Sequence, residues 1–163
     1  MSRWLSDLLE FNYSVLSDPE FKEDAVREEI IVPLLKALGY NYDGEFKIVR
    51  GRPLKVPYYM IGSRRYDVSI FPDYILEVGG RCACVVEIKA PTEALYDAKH
   101  IGQAYSYAAH REVQANYFAL CNGFEFHLYS TRKEQPLIVF RMESIKNHFP
   151  ILNSVIGTEY ISM

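Results

Sequence analysis

Apolar residues recur along the chain in two rhythms. Between Arg3 and Val15 they fall at helical spacing, with Trp4, Leu5, Leu8 and Leu9 forming one stripe of a short amphipathic helix. Ser17-Asp18-Pro19 then reads as a helix cap, followed by a longer helical pattern that runs to Leu38. Its buried face is Ile30, Ile31, Leu34, Leu35 and Leu38, and Gly39 ends it as a C′ glycine. Pro33 removes one backbone hydrogen bond, which predicts a kink. Beyond Gly39 the rhythm shortens. Apolar runs bounded by turn residues predict strands near 45–50, 55–60, 65–71, 73–78 and 82–89. Pro91 ends the last of these, and helical periodicity returns over about 93–111, with Tyr105 and Ala108 assigned to the core side. Asn122-Gly123 is a strong hairpin turn joining strands 117–121 and 124–130. A strand at 137–141 and a short helix from Glu143 complete the pattern.

These elements predict an α/β (α+β) fold in one domain spanning 1–163. Within it, 1–17 reads as a helical extension, 18–142 as the core and 143–163 as a C-terminal tail. A chain of 163 residues buries a substantial core, and 49% hydrophobic with 24% charged residues is ordinary for a soluble globular protein. No apolar stretch has membrane-spanning length, and MSRWLSDLLEF lacks the signal-peptide pattern. Three cysteines without C-x-x-C, two of them (Cys82, Cys84) alternating on an apolar strand, predict reduced core packing rather than a disulfide or zinc site. The four histidines show no ligand spacing. A cytoplasmic location without membrane contact is the expectation.

One segment carries more chemistry than the rest. PDYILEVGGRCACVVEIK contains two apolar runs around Gly79-Gly80, with Asp73 before the first run and Glu87 and Lys89 at the end of the second. As a hairpin it brings the two carboxylates to its open end. A strict two-residue turn would pair Asp73 with Val86 and send the acids to opposite faces. A three-residue loop or one bulge pairs Asp73 with Glu87 instead. The second register is the one predicted, because only it builds a site. Glu87 and Lys89 then share a face with Val85 and Ala83. Paired carboxylates suit a hard divalent cation, and a nearby ammonium adds positive charge over it. Such a constellation points to metal-assisted phosphodiester hydrolysis. An E-x-K alone is common, and strands often end in charged residues at the solvent boundary. Here the neighbours Val85 and Val86 are strongly apolar, so the charges at the strand end need partners.

Four segments resemble the PD-(D/E)XK nucleases, and more narrowly the N-terminal nuclease domain of type I restriction enzyme R (HsdR) subunits. They are EDAVREEIIVPLLKALGY, PDYILEVGGRCACVVEIKAP, GQAYSYA, which fits a Q-x-x-x-Y signature at Gln103 and Tyr107, and FALCNGFEFHLYS. In the last, Cys121 stands where that family usually has threonine. The resemblance covers roughly residues 23–130. It implies a restriction-endonuclease-like mixed β-sheet flanked by helices. It also implies an Mg²⁺-dependent endonuclease on double-stranded DNA, with Mn²⁺ as an alternative ion. Asp73, Glu87 and the Ile88 carbonyl would be metal ligands, and Lys89 would orient or activate the attacking water. Gln103 and Tyr107 would line the site. A glutamate on the first core helix would complete it, with Glu23 the best fit and Glu28 its competitor. Asp67 is a rival for Asp73, but hairpin pairing would set it opposite residue 93, beyond the strand end.

The net charge of −3 gives no whole-molecule attraction to DNA. Between Phe46 and Tyr66, however, Lys47, Arg50, Arg52, Lys55, Arg64 and Arg65 occur with no acidic residue, interleaved with Tyr58, Tyr59 and Tyr66. Arg50, Arg52, Lys55, Arg64 and Arg65 are candidate contacts to backbone phosphates. The alternative is a solvated strand-and-loop face. A homodimer, or a separate helicase or methyltransferase partner, is a further expectation, since the chain has no G-x-x-x-x-G-K-[ST] loop of its own. A catalytically silent DNA-binding or assembly module is the competing function.

Overall fold

The computed structural model describes residues 1–55, 58–67 and 70–161. Parts of the expected strands 55–60 and 65–71, and the side chains of Tyr58, Tyr59 and Tyr66, lie outside the described residues.

Six strands form one mixed sheet. They are β1 (Phe46–Arg50), β4 (Tyr74–Val78), β5 (Arg81–Ile88), β6 (Tyr117–Cys121), β7 (Glu125–Ser130) and β8 (Ile138–Arg141), in that spatial order. Within this sheet the β5–β6 pair is parallel, and helix α4 (Ala98–Ala109) lies in the crossover connection that parallel neighbours need. The strands β2 (Tyr58–Ile61) and β3 (Arg64–Asp67) pair apart from this sheet, with Asp67 opposite Tyr58.

Each face of the sheet is covered, which is why β4 and β5 read as continuous apolar runs. On one face Ile48, Leu76, Val86, Ile88, Ala119 and Phe126 pack against helices α1 (Arg3–Glu10) and α5 (Ile145–Ile156) and the helical stretch 23–37. Leu8 of α1 and Leu152 and Ile156 of α5 are fully buried there, so both ends of the described chain contribute to this core. On the other face Ile75, Val85, Phe118 and Leu120 pack against Ala104, Tyr107 and Ala108 of α4. Tyr105, expected beside Ala108 in the core, is 46% exposed instead, because the stripe at 104, 107 and 108 turns it outwards. Cys82, Cys84 and Cys121 are free and buried.

The long N-terminal helical pattern is not one regular helix. It comprises α2 (Glu23–Val26), a π turn (Arg27–Ile31) and α3 (Val32–Ala37). Pro33 cannot donate to a carbonyl one turn back, and the chain meets that demand by widening the preceding turn. Helix α2 starts after Lys22, whereas Asp18 accepts the Glu20 N–H within a separate turn. At the other end, Gly39 has φ 105°, the left-handed geometry expected of a C′ glycine.

Candidate active site

The β4–β5 hairpin sets the register on which the site depends. Val78 pairs with Arg81 across Gly79-Gly80, and Glu77 pairs with Cys82, but Leu76 pairs with Cys84. Ala83 is therefore the extra residue of a β-bulge, and Tyr74 comes to lie opposite Val86. Continuing that register puts Asp73 opposite Glu87. The expected shared face is corrected at one position. Ala83 packs with Cys84, Val86 and Ile88, not with Val85 and Glu87, because the bulge resets the alternation.

Backbone and carboxylate groups lock the open end reciprocally. The Asp73 N–H donates to Glu87 Oε1 at 3.0 Å, and the Ile88 N–H donates to Asp73 Oδ2 at 2.8 Å. Each acid thus accepts from the other's strand, in place of ladder carbonyls. Glu87 is only 3% exposed. Burial, and then the neighbouring Asp73 charge, push its carboxyl up to about 8. The Ile88 side chain is buried on the opposite face.

Further side chains gather around this pair from the first core helix and from α4. The Arg27 Nη2 donates to Asp73 Oδ1 at 3.0 Å, across 46 residues of sequence. Glu23 lies close enough that the Asp73 charge, after burial, raises its carboxyl, while Arg27 and Lys89 pull it back. Glu28, its competitor, is exposed. On the α4 side, Lys89 Nζ donates to Gln103 Oε1 at 2.8 Å, and Gln103 Nε2 donates to Tyr107 Oη at 3.0 Å. Burial raises the Tyr107 hydroxyl, and the Glu87 and Asp73 charges add to it. Gln103 and Tyr107, one helical turn apart, thereby tie Lys89 to α4.

In the sequence Arg27 marks the i, i+4 spacing that favours Glu23, which puts a cation and an acid on one face of a helix, but it is not among the expected site residues. It begins the π turn, a local irregularity that often accompanies functional sites.

The expected phosphate contacts are distributed unevenly. Arg50, at the end of β1, lines an open cleft of about 510 Å³ together with Arg27, Gly51, Phe71, Pro72, Asp73 and Tyr74. Arg52 is held by Glu77 at 2.8 Å and also reaches Cys82 Sγ at 3.8 Å. The Lys55 N–H donates to Glu112 at 3.0 Å. Arg64 and Arg65 are exposed on the β2–β3 hairpin.

A hard divalent cation fits the donor set. Asp73 and Glu87 offer oxygen only, and two adjacent carboxylates, one almost fully buried, gain from a shared positive charge. Each carboxylate oxygen has two lone pairs, so the N–H groups on Asp73 Oδ2 and Glu87 Oε1 leave acceptor capacity. Among the described residues, no group of three or more His, Cys, Asp or Glu side chains is placed to hold a metal, so the fit rests on this pair.

No family model matches the chain, and no curated protein matches it. Among solved structures, the chain is similar to a fragment assigned as an HsdR subunit of a type I restriction enzyme from Vibrio vulnificus YJ016. The TM-score is 0.56 and the identity 19%, over 81% of this chain and 26% of that one. The chain therefore spans about a quarter of that neighbour's length. At this identity the likeness shows the architecture: the protein has a restriction-endonuclease-like fold, a six-stranded mixed sheet flanked by helices.

Proposed function

We propose that the protein is a divalent-metal-dependent endonuclease of the PD-(D/E)XK type that hydrolyses phosphodiester bonds in double-stranded DNA, in a restriction-related role. The observation that carries this reading is the reciprocal clamp between Asp73 and Glu87, with Lys89 two residues beyond Glu87, just past the end of β5. Asp73 and Glu87 would hold Mg²⁺ or Mn²⁺, which supplies Lewis-acid stabilisation of charge on the phosphate when bound. The Ile88 carbonyl is a further proposed ligand. Lys89, fixed by Gln103, presents an ammonium that orients the attacking water and offsets negative charge in the transition state. Tyr107 keeps Gln103 oriented by accepting its N–H. Glu23 contributes a third acid beside Asp73. The test is nuclease activity with Mg²⁺ or Mn²⁺ for wild type, Lys89→Ala and Asp73→Ala. Loss of cleavage in both folded variants supports the assignment, and activity retained in both removes it.

One observation favours a second reading, a catalytically silent DNA-binding or assembly module of a restriction complex. Arg27 already compensates Asp73, and Gln103 already occupies Lys89. Asp73 and Lys89 thus each have a partner without a metal ion. Calorimetry separates the two: a folded protein that takes up neither Mg²⁺ nor Mn²⁺ at this pair is the module.

A further inference from the structure

Arginine and lysine side chains from three separate elements meet on two aromatic rings, in a row that ends at the cleft. The Arg3 guanidinium of α1 lies 4.5 Å from the centre of the Trp4 ring, and Lys36 Nζ of α3 lies 5.9 Å from the same ring. Lys36 also lies 4.4 Å from the Tyr42 ring, in the loop after α3. Arg50, at the end of β1, lies 4.9 Å from Tyr42 on its other contact. Consecutive cations therefore share a ring, in the order Arg3, Trp4, Lys36, Tyr42, Arg50. The last of them lines the 510 Å³ cleft that also contains Arg27 and Asp73.

This row is not a packing device of the core. Arg3 and Arg50 are exposed, Tyr42 is 40% exposed, and Trp4 and Lys36 are half-buried. Nor are the charges neutralised locally. Arg27, Arg52 and Arg141 each meet a carboxylate, but among the described residues Arg3, Lys36 and Arg50 form no ion pair with one. Lys36 donates to the neutral Asn41 Oδ1. Stacking on a ring restricts a long cationic side chain without discharging it, so less rotamer freedom is lost when an anion arrives. In a chain of net charge −3, a continuous cationic row is a local arrangement rather than a consequence of composition.

We propose that Arg3, Lys36 and Arg50, seated on Trp4 and Tyr42, form the track along which a duplex DNA backbone reaches the cleft at Asp73. The ligand chemistry is that of a polyanionic backbone: successive phosphates contacted by point charges and guanidinium forks, with no base edge read. The inference rests on the nuclease reading for the identity of that polymer, and it assigns the polymer a path distinct from the β2–β3 hairpin.

The test uses the full chain in EDTA, where binding is measured without cleavage. Trp4 is the chain's single tryptophan, so its emission reports contact on the track itself. The affinity readout is the anisotropy of a labelled 20-base-pair duplex across a salt series. For wild type, Trp4 emission changes saturably with duplex, at the same midpoint as the anisotropy. In Arg3→Gln/Lys36→Gln, affinity falls roughly tenfold per lost contact at 0.1 M salt, and the slope of log K against log salt shrinks by about two. The single variant Arg50→Gln, at the other end of the row, loses roughly tenfold. The track is overturned if wild type binds while Trp4 emission stays constant and these variants keep full affinity. A loss confined to Arg64→Gln/Arg65→Gln would then place the DNA on the hairpin and leave the nuclease reading intact. Absence of duplex binding by folded wild type overturns both the track and the function it rests on.

Discussion

Replacing Glu87 by glutamine isolates the energetic consequence of burying one acid beside another. In the folded, metal-free protein the Glu87 carboxyl is raised from its ordinary 4.5 to about 8, first by burial and then by the Asp73 charge. The folded state therefore holds this proton more tightly than the unfolded chain does. Its stabilising contribution is complete below pH 4.5 and is lost as pH climbs towards 8. At 1.36 kcal/mol per pH unit, the window corresponds to on the order of 4–5 kcal/mol. Glutamine keeps an oxygen to accept the Asp73 N–H and carries no ionisable group. In EDTA, urea denaturation of wild type from pH 5 to 8 shows falling stability relative to Glu87→Gln, so that the variant is the more stable protein at pH 8. Glu23 and His127 titrate in both proteins, so their contributions largely cancel in the difference. Saturating Mg²⁺ narrows the difference at pH 8, because a cation replaces the proton. A wild-type-minus-variant difference that does not change with pH refutes the claim that Glu87 is a buried acid strained by Asp73.

Other residues give sharper, smaller tests. Arg27→Ala removes the charge compensating Asp73 and lowers stability by about 1–2 kcal/mol in urea denaturation at pH 7, with part of the loss recovered on adding Mg²⁺. Gln103→Leu frees Lys89 without touching the carboxylates, so cleavage drops roughly 10–100-fold in a steady-state nuclease assay while metal affinity measured by calorimetry is unchanged. Gly39→Ala puts a Cβ at φ 105° against the Thr158 side chain and costs on the order of 2 kcal/mol by thermal unfolding.

Much of the fold was legible because its local signals agree. Asn122-Gly123, the apolar β5 run and the terminal Gly39 each identify an element without reference to the rest. The paired register of Asp73 and Glu87 was readable only as a conditional, since a loop change or a bulge gives the same pairing. The structure uses the bulge, and nothing about Ala83 announces it. Helix α4 begins at Ala98 rather than near 93 because Asp97 caps it by accepting the Lys99 N–H, and turns occupy the intervening residues. The Arg27–Asp73 ion pair was out of reach for a different reason. It arises from a contact across 46 residues of sequence, which periodicity does not encode. Likewise the row from Arg3 to Arg50 joins α1, α3, a loop and β1, while the chain's conspicuous basic stretch begins only at its far end.

Anomalous diffraction from crystals soaked in Mn²⁺ tests the metal site most directly. The expected result is a peak bounded by carboxylate oxygens of Asp73 and Glu87, absent in Asp73→Asn crystals. A soaked, folded wild-type crystal with no peak at this pair, under conditions where the protein cleaves DNA, would contradict it.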